Sequence, residues 1–274
     1  MKLAVVGVGL IGASFARAAR AEGLFQSFVG VDRSEDHCQR AVAAGIVDTA
    51  VIDVPEDADA VLLATPIDQL PGWLEQLASH PGLVFDVGST KAPLVARIEA
   101  GAPAPARFVP AHPIAGSERS GPDASRVDLF RDRLLVITPT ANTAAADVDR
   151  LRGWWSAIGA RVVTMDAQAH DQTFALTSHL PHLAAFAYMQ LIDAEHLSYA
   201  AGGFRDFSRI AASDPDMWTP VLRANRTAVL EALGAYEAKL ALLRDAIEAD
   251  DEAALYGLLC AARDRRRQFE DGVE

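Results

Sequence analysis

The 274-residue sequence predicts an α/β chain: a doubly wound parallel sheet over residues 1–165, followed by an all-helical domain over residues 166–274. Three observations predict it. Short, β-rich apolar runs alternate with amphipathic helical stretches through the first half. A glycine-rich turn follows the first run directly. From Asp166 onward no run reads as a strand, while long stretches repeat apolar residues at helical spacing.

The first expected strand is residues 3–6, Leu-Ala-Val-Val. Residues 28–31, 60–64, 83–87, 134–137 and 161–164 read likewise. Their nearly continuous apolar character fits strands covered on both faces. Residues 14–22 and 70–79 carry the amphipathic pattern of covering helices, and residues 101–106 form an Ala/Pro-rich loop. In the second half the helical stretches are 171–194, 215–248 and 252–269. There Leu230, Leu233, Leu240 and Leu243 recur near a helical period, and a helical half this apolar is expected to pack against something large, a partner subunit or the monomer's own core.

Half the residues are hydrophobic and 23% are charged, an ordinary globular balance. The net charge of −12 argues against a nucleic-acid partner, because phosphate backbones require clustered cations. The one basic cluster, Arg263 with Arg265, Arg266 and Arg267, reads as a solvated helix face. Cys38 and Cys260 are the only cysteines and match no metal spacing, which points to a reducing, cytoplasmic setting. No apolar run is long enough to span a bilayer, and Gly7, Gly9 and Gly12 interrupt anything resembling a leader.

Gly7-Val8-Gly9-Leu10-Ile11-Gly12 ends the first strand and opens a helix, the context of a dinucleotide-binding turn in a Rossmann domain. Gly7 allows the tight turn, Gly9 the close approach of a pyrophosphate, and Gly12 tight helix–strand packing. The helix start presents free N–H groups to phosphate. Asp32, twenty residues past Gly12, ends the second strand, where a carboxylate accepts from ribose hydroxyls and repels a 2′-phosphate. NAD is therefore expected over NADP, although the neighbouring Arg33 offers a phosphate partner. Thr65 and Pro66 end another strand and are candidates to flank the cofactor.

Two segments at the ends of later strands carry reactive side chains: Asp86-Val87-Gly88-Ser89-Thr90-Lys91 and Ala111-His112-Pro113-Ile114-Ala115-Gly116-Ser117. Oxidation of an alcohol removes a hydride from carbon and a proton from oxygen. His112, with an ordinary pKa near neutrality, is the natural proton acceptor, and Ser89 is the hydroxyl expected to fix its tautomer. His179 and His182 stand three residues apart, but no third ligand suggests a metal.

These motifs, in this order, resemble the prephenate/arogenate dehydrogenase family. The resemblance continues through Ser178-His179-Leu180-Pro181-His182, through Gly203-Phe204-Arg205-Asp206-Phe207-Ser208-Arg209-Ile210-Ala211, with Ser208 where Thr is commoner, and through the spacing of Trp218 and Asn225. It covers nearly the whole chain. It implies an NAD-dependent oxidative decarboxylation of prephenate to 4-hydroxyphenylpyruvate, in tyrosine biosynthesis, by a homodimer joined through the helical domain. His112 and Ser89 would then be catalytic, while Arg209 would pair with a substrate carboxylate and His179, His182 and Lys91 would help bind substrate. Arogenate, which carries an amine where prephenate carries a ketone, is the alternative substrate, with Asp206 and Asp214 as candidate partners of that amine. More distant alternatives are a β-hydroxyacid dehydrogenase or imine reductase, which would use a lysine of the helical domain, and a nicotinamide-sensing protein without turnover. Lys239, the only lysine after Lys91, reads as a helix-surface residue.

Overall fold

Strands in the first half alternate their side chains between two apolar layers, and this fixes the architecture. In β1 (Lys2–Val6), Leu3 and Val5 enter one core while Ala4 and Val6 enter the other. A strand buried on both faces needs helices on both sides. In the computed structural model, which describes residues 1–116 and 119–271, they are present.

After β1 come α1 (Leu10–Ala21), β2 (Ser27–Val31), α2 (Glu35–Ala43), β3 (Thr49–Val51), β4 (Ala60–Leu63), α3 (Leu70–Gln76), β5 (Leu83–Asp86), α4 (Ala92–Glu99) and β6 (Phe108–Val109). The six strands form one parallel sheet in the order β3-β2-β1-β4-β5-β6. The order reverses between β1 and β4, the point at which such sheets gather ligands at their strand ends. One core packs Phe15, Phe28, Phe85 and Trp155, with the Phe15 ring 4.9 Å from that of Trp155. The other packs Val61, Leu63, Leu70, Leu74, Val84 and Leu94.

The chain continues with β7 (Ala111–Pro113), β8 (Leu134–Ile137), α5 (Ala145–Ala157) and β9 (Arg161–Thr164). The strands expected at 134–137 and 161–164 exist, but they do not extend the parallel sheet. They join β7 in a separate sheet, β7 antiparallel to β8 and β8 parallel to β9. Pro110, which has no amide hydrogen, separates β6 from β7. Just beyond it the amide of Ala111 donates to Asp86 Oδ1 at 3.1 Å. A side chain thus takes the amide as the strand leaves the first sheet.

Beyond Thr164 the described residues hold helices only: α6 (Ala167–Phe174), a π-helical segment (Ala175–His179), α7 (Leu180–Met189), α8 (Ala194–Leu197), α9 (Gly202–Ser208), a 3-10 turn (Arg209–Ala212), α10 (Pro215–Ala224), α11 (Arg226–Glu248) and α12 (Glu252–Asp271). The stretch 171–194 is therefore interrupted rather than one helix, widening into the π-helical segment just before Pro181. Met1–Arg226 forms one compact unit, in which α6 packs on α4 and α10 on the 3-10 turn Ile67–Gln69. Thr227–Glu274 forms a second, carrying most of α11 and all of α12. No helix among the described residues is long and apolar enough to cross a membrane.

Candidate active site

The glycine turn is built as its spacing requires. Gly7 has φ +91°, a left-handed conformation, and a Cβ there would strike the Ala64 carbonyl. A Cβ on Gly12 would strike the Gly7 carbonyl oxygen. At Gly9 a Cβ would meet nothing within 4 Å. Gly7 and Gly12 are thus held by the fold, while Gly9 faces open space. Leu10 and Ile11 open α1, which has no side-chain cap at Gly9. Asp32 supports the turn: Oδ2 accepts from the Val8 amide at 2.9 Å and Oδ1 from the Ser34 amide at 2.9 Å. His37 lies 3.7 Å from Oδ2. Arg33 is exposed.

At the end of β4, the Thr65 hydroxyl is buried without a hydrogen-bond partner among the described residues, and Pro66 immediately precedes the 3-10 turn Ile67–Gln69. An uncapped helix start, an open Gly9, an orphaned hydroxyl and an acid at the end of β2 fit a dinucleotide. Gly7 to Gly12 would hold its pyrophosphate, Asp32 its ribose, and Thr65 and Pro66 would flank it.

Across the sheet ends lies a chain of buried polar groups. Asp86 and Lys91 form an ion pair, both side chains fully buried. Asp86 Oδ2 also accepts from the Gly88 amide at 2.8 Å, and Asp86 Oδ1 takes the Ala111 amide next to His112. Lys91 was expected to help bind substrate; the structure pairs its buried ammonium with Asp86, whose other oxygen takes the Ala111 amide and so ties the start of β7 to the end of β5.

His112, on β7, points Nδ1 at His170 Nε2 across 2.9 Å, and His170 Nδ1 lies 2.7 Å from Asp171 Oδ1. Asp171 also caps α4, accepting from the amides of Lys91 at 2.8 Å and Ala92 at 2.9 Å. Ser89 was expected to orient His112. Among the described residues no hydrogen bond joins Ser89 to His112, whose Nδ1 instead meets His170. Ser89 stays half-buried in the turn between β5 and α4. Burial pushes the His112 pKa well below the ordinary histidine value, with His170, Lys91 and His179 adding to the shift. The ring is neutral at neutral pH. Phe174 walls the pair, 5.2 Å from His112 and 4.6 Å from His170 between ring centres.

His179 is buried at the end of the π-helical segment, and its Nδ1 lies 3.0 Å from Asn225 Nδ2. Burial lowers its pKa to about 4 against the opposing pull of Asp171. His182 stacks on Trp218 at 3.8 Å and donates from Nδ1 to the Ser178 carbonyl at 2.9 Å. Its pKa is lowered chiefly by burial, with the Arg209 guanidinium adding to the shift. Arg209 opens the 3-10 turn after α9, is exposed, and makes no ion pair among the described residues. Asp214 is spent as the N-cap of α10. Ser117, last in the His112 segment, lies outside the described residues.

Sequence reasoning missed His170, Asp171 and the structural role of Asp86. The adjacent His-Asp pair at the start of a helical stretch was the available signal, but His112 lies 58 residues away.

Two family models match the chain: the nucleotide-binding domain of prephenate dehydrogenase over residues 15–164 and its dimerization domain over residues 166–260. The chain is 35% identical to a cyclohexadienyl dehydrogenase of Zymomonas mobilis, over 91% of this chain and 89% of that protein. It superposes on the crystal structure of prephenate dehydrogenase from Aquifex aeolicus in complex with hydroxyphenyl propionate and NAD+ with a TM-score of 0.91, at 32% identity, covering 98% of both chains. It also superposes on Synechocystis arogenate dehydrogenase with a TM-score of 0.81, at 31% identity, covering 98% of this chain and 100% of that one.

Proposed function

The chain belongs to the prephenate dehydrogenase family, and on that premise we propose that it oxidatively decarboxylates prephenate to 4-hydroxyphenylpyruvate in tyrosine biosynthesis, with NAD as cofactor. One observation carries the reading. The half-buried imidazole of His112 meets His170 at 2.9 Å, and α7, which carries His182, packs against the 3-10 turn opened by Arg209, a guanidinium without an ion pair among the described residues. That is the equipment for taking a proton from the hydroxyl of an anionic substrate.

When bound, NAD supplies the acceptor for the hydride of the carbinol carbon. His112 takes the hydroxyl proton. Arg209 binds a substrate carboxylate through its planar fork, and His179 and His182 line the pocket beside it. Ser89 contacts the reacting end of the substrate rather than His112. The ring ketone that forms draws electrons from the carbon bearing the carboxylate. Carbon dioxide leaves, the electron pair it leaves behind makes the ring aromatic, and the phenolate oxygen takes back the proton held by His112.

Asp32 favours NAD over NADP, because a carboxylate at the end of β2 repels a 2′-phosphate. The functional division falls at 165/166, with nucleotide binding before it and substrate binding and dimerisation after it. A homodimer through the helical half would cover its exposed apolar side chains, among them Leu191, Tyr199, Ile247 and Tyr256. Cys38 and Cys260, both free, suit a reducing cytoplasm. Arogenate is the second reading, favoured by the similarity to the Synechocystis enzyme.

Cofactor reduction measured with prephenate and with arogenate, each with NAD and NADP, tests the proposal. Turnover of prephenate with NAD supports it, and faster turnover of arogenate moves the assignment to the second reading. Tight NAD binding without turnover of either substrate would sink the chemistry.

A further inference from the structure

We propose that His170 and Asp171 are a positioning pair that keeps the proton of neutral His112 on Nδ1, leaving His112 Nε2 as the atom that accepts the substrate proton. This rests on the reading of His112 as the proton acceptor.

The donors and acceptors along this chain of contacts fix where each proton sits. Both oxygens of Asp171 already accept backbone amides, from Lys91 and Ala92, so the carboxylate faces its neighbours as an acceptor. The nitrogen 2.7 Å from Oδ1, His170 Nδ1, must therefore be the donor. A neutral imidazole with its proton on Nδ1 has a bare Nε2. That bare Nε2 faces His112 Nδ1 at 2.9 Å. Two lone pairs do not meet at that distance, so His112 Nδ1 carries the proton and His112 Nε2 is free to accept one.

Burial makes the assignment durable. His170 is 0% exposed, so water does not replace either contact. The other solution, a charged His170 donating from both nitrogens, is opposed by the surroundings. Burial lowers the His170 pKa, and Lys91 adds to that, against the raising influence of Asp171 and Asp86. The charged and titratable groups acting on the two rings are thus Lys91 and Asp86 from the β5–α4 region, Asp171 from α6 and His179 from the π-helical segment. Phe174 from α6 presents an apolar ring to both.

The consequence is catalytic economy. An imidazole without a fixed partner divides its proton between the two nitrogens, and the form protonated at Nε2 is inert as a base at that position. His170 removes that form. When His112 gains the substrate proton at Nε2, its Nδ1–H remains directed at His170, and the charge is steadied by Asp171 through the His170 ring. A carboxylate does this to a histidine directly in serine-protease triads. Here a second histidine stands between them.

Three full-length variants and one spectroscopic measurement test this. Nitrogen NMR of the ring atoms is expected to show His112 protonated at Nδ1 and bare at Nε2 in the unsubstituted protein at neutral pH. His170→Phe keeps a ring but removes the acceptor. It is expected to shift the His112 proton toward Nε2 and to lower kcat on the order of a hundredfold, with substrate KM changed less than about threefold. His170→Gln places an acceptor oxygen near the former Nε2 and is expected to recover at least about a tenth of the original kcat. A proton on His112 Nε2 in the unsubstituted protein overturns the proposal, whether or not His170→Phe folds. So does a His170→Phe protein with unchanged tautomer and kcat, or one that His170→Gln fails to improve upon. His112→Asn separates the two levels. Wild-type turnover in that variant would remove His112 from the chemistry, while the ring NMR would still judge the positioning.

Discussion

Asn225 Nδ2 stands 3.0 Å from His179 Nδ1 and 2.8 Å from the carbonyl oxygen of Asp171, so one buried amide group serves two acceptors. The amide donates, His179 Nδ1 accepts, and the His179 proton lies on Nε2. Asn225 thereby turns His179 into a neutral donor. Replacing it with alanine strands two buried acceptors, at a cost of about 1–3 kcal/mol each. Asn225→Ala is expected to lower the unfolding midpoint and raise substrate KM more than it lowers kcat. Unchanged stability with unchanged KM would remove Asn225 from the network.

Lys91 separates a structural role from a binding role. Lys91→Met leaves the fully buried Asp86 without its cation, and a stranded buried charge costs about 3–5 kcal/mol. Urea unfolding is expected to show a loss of that order. A stable Lys91→Met protein whose only defect is a high substrate KM would restore the ligand-binding role.

The glycine turn contains its own control. Gly12→Ala drives a methyl group into the Gly7 carbonyl and is expected to destabilise the fold by about 1–3 kcal/mol. Gly9→Ala meets nothing in the protein itself, so stability is expected to hold while the KM for NAD rises. Should Gly9→Ala leave the NAD KM untouched, the pyrophosphate does not lie against this turn.

Acid should both weaken this protein and silence it. Burial lowers the pKa values of His112, His170, His179 and His182, and that of His179 reaches about 4. The unfolded chain binds protons near pH 6.5, whereas the native histidines resist them to lower pH. Their contribution to stability is complete above about 6.5 and is lost as pH falls toward 4, with His179 alone accounting for roughly 3 kcal/mol at the low end. Urea midpoints are expected to fall across that window. In parallel, kcat/KM is expected to stay flat through neutral pH and drop only in acid, as His112 itself becomes protonated. A kcat/KM already halved at pH 6.5 would contradict the low pKa of His112.

Much of the fold is a matter of local pattern. Leu3 to Val6 are apolar without alternation, so the strand they form must be covered on both faces. Gly7, Gly9 and Gly12 follow at once, and Asp32 stands where the next strand ends. Separate local rules converge on one turn, within which Asp32 Oδ2 accepts from the Val8 amide. The sheet boundary was less legible. Residues 134–137 and 161–164 have the composition of parallel strands, and nothing local shows that Pro110 and the Asp86–Ala111 hydrogen bond divert the chain into a second sheet.

By itself the sequence determined the two-part architecture and the glycine turn with an acid beside it, and it singled out His112 and Arg209 as candidates for the chemistry. Each depends on residue type and short-range spacing, which the chain carries wherever it folds. Only the tertiary structure decided which groups meet. It buried Lys91 on Asp86, set Asn225 on His179, and placed His170, rather than Ser89, against His112. The physical reason is that a hydrogen bond or ion pair is made across about 3 Å of space between groups far apart in the chain. Whether a polar side chain serves the substrate or the scaffold depends on which partner reaches it first.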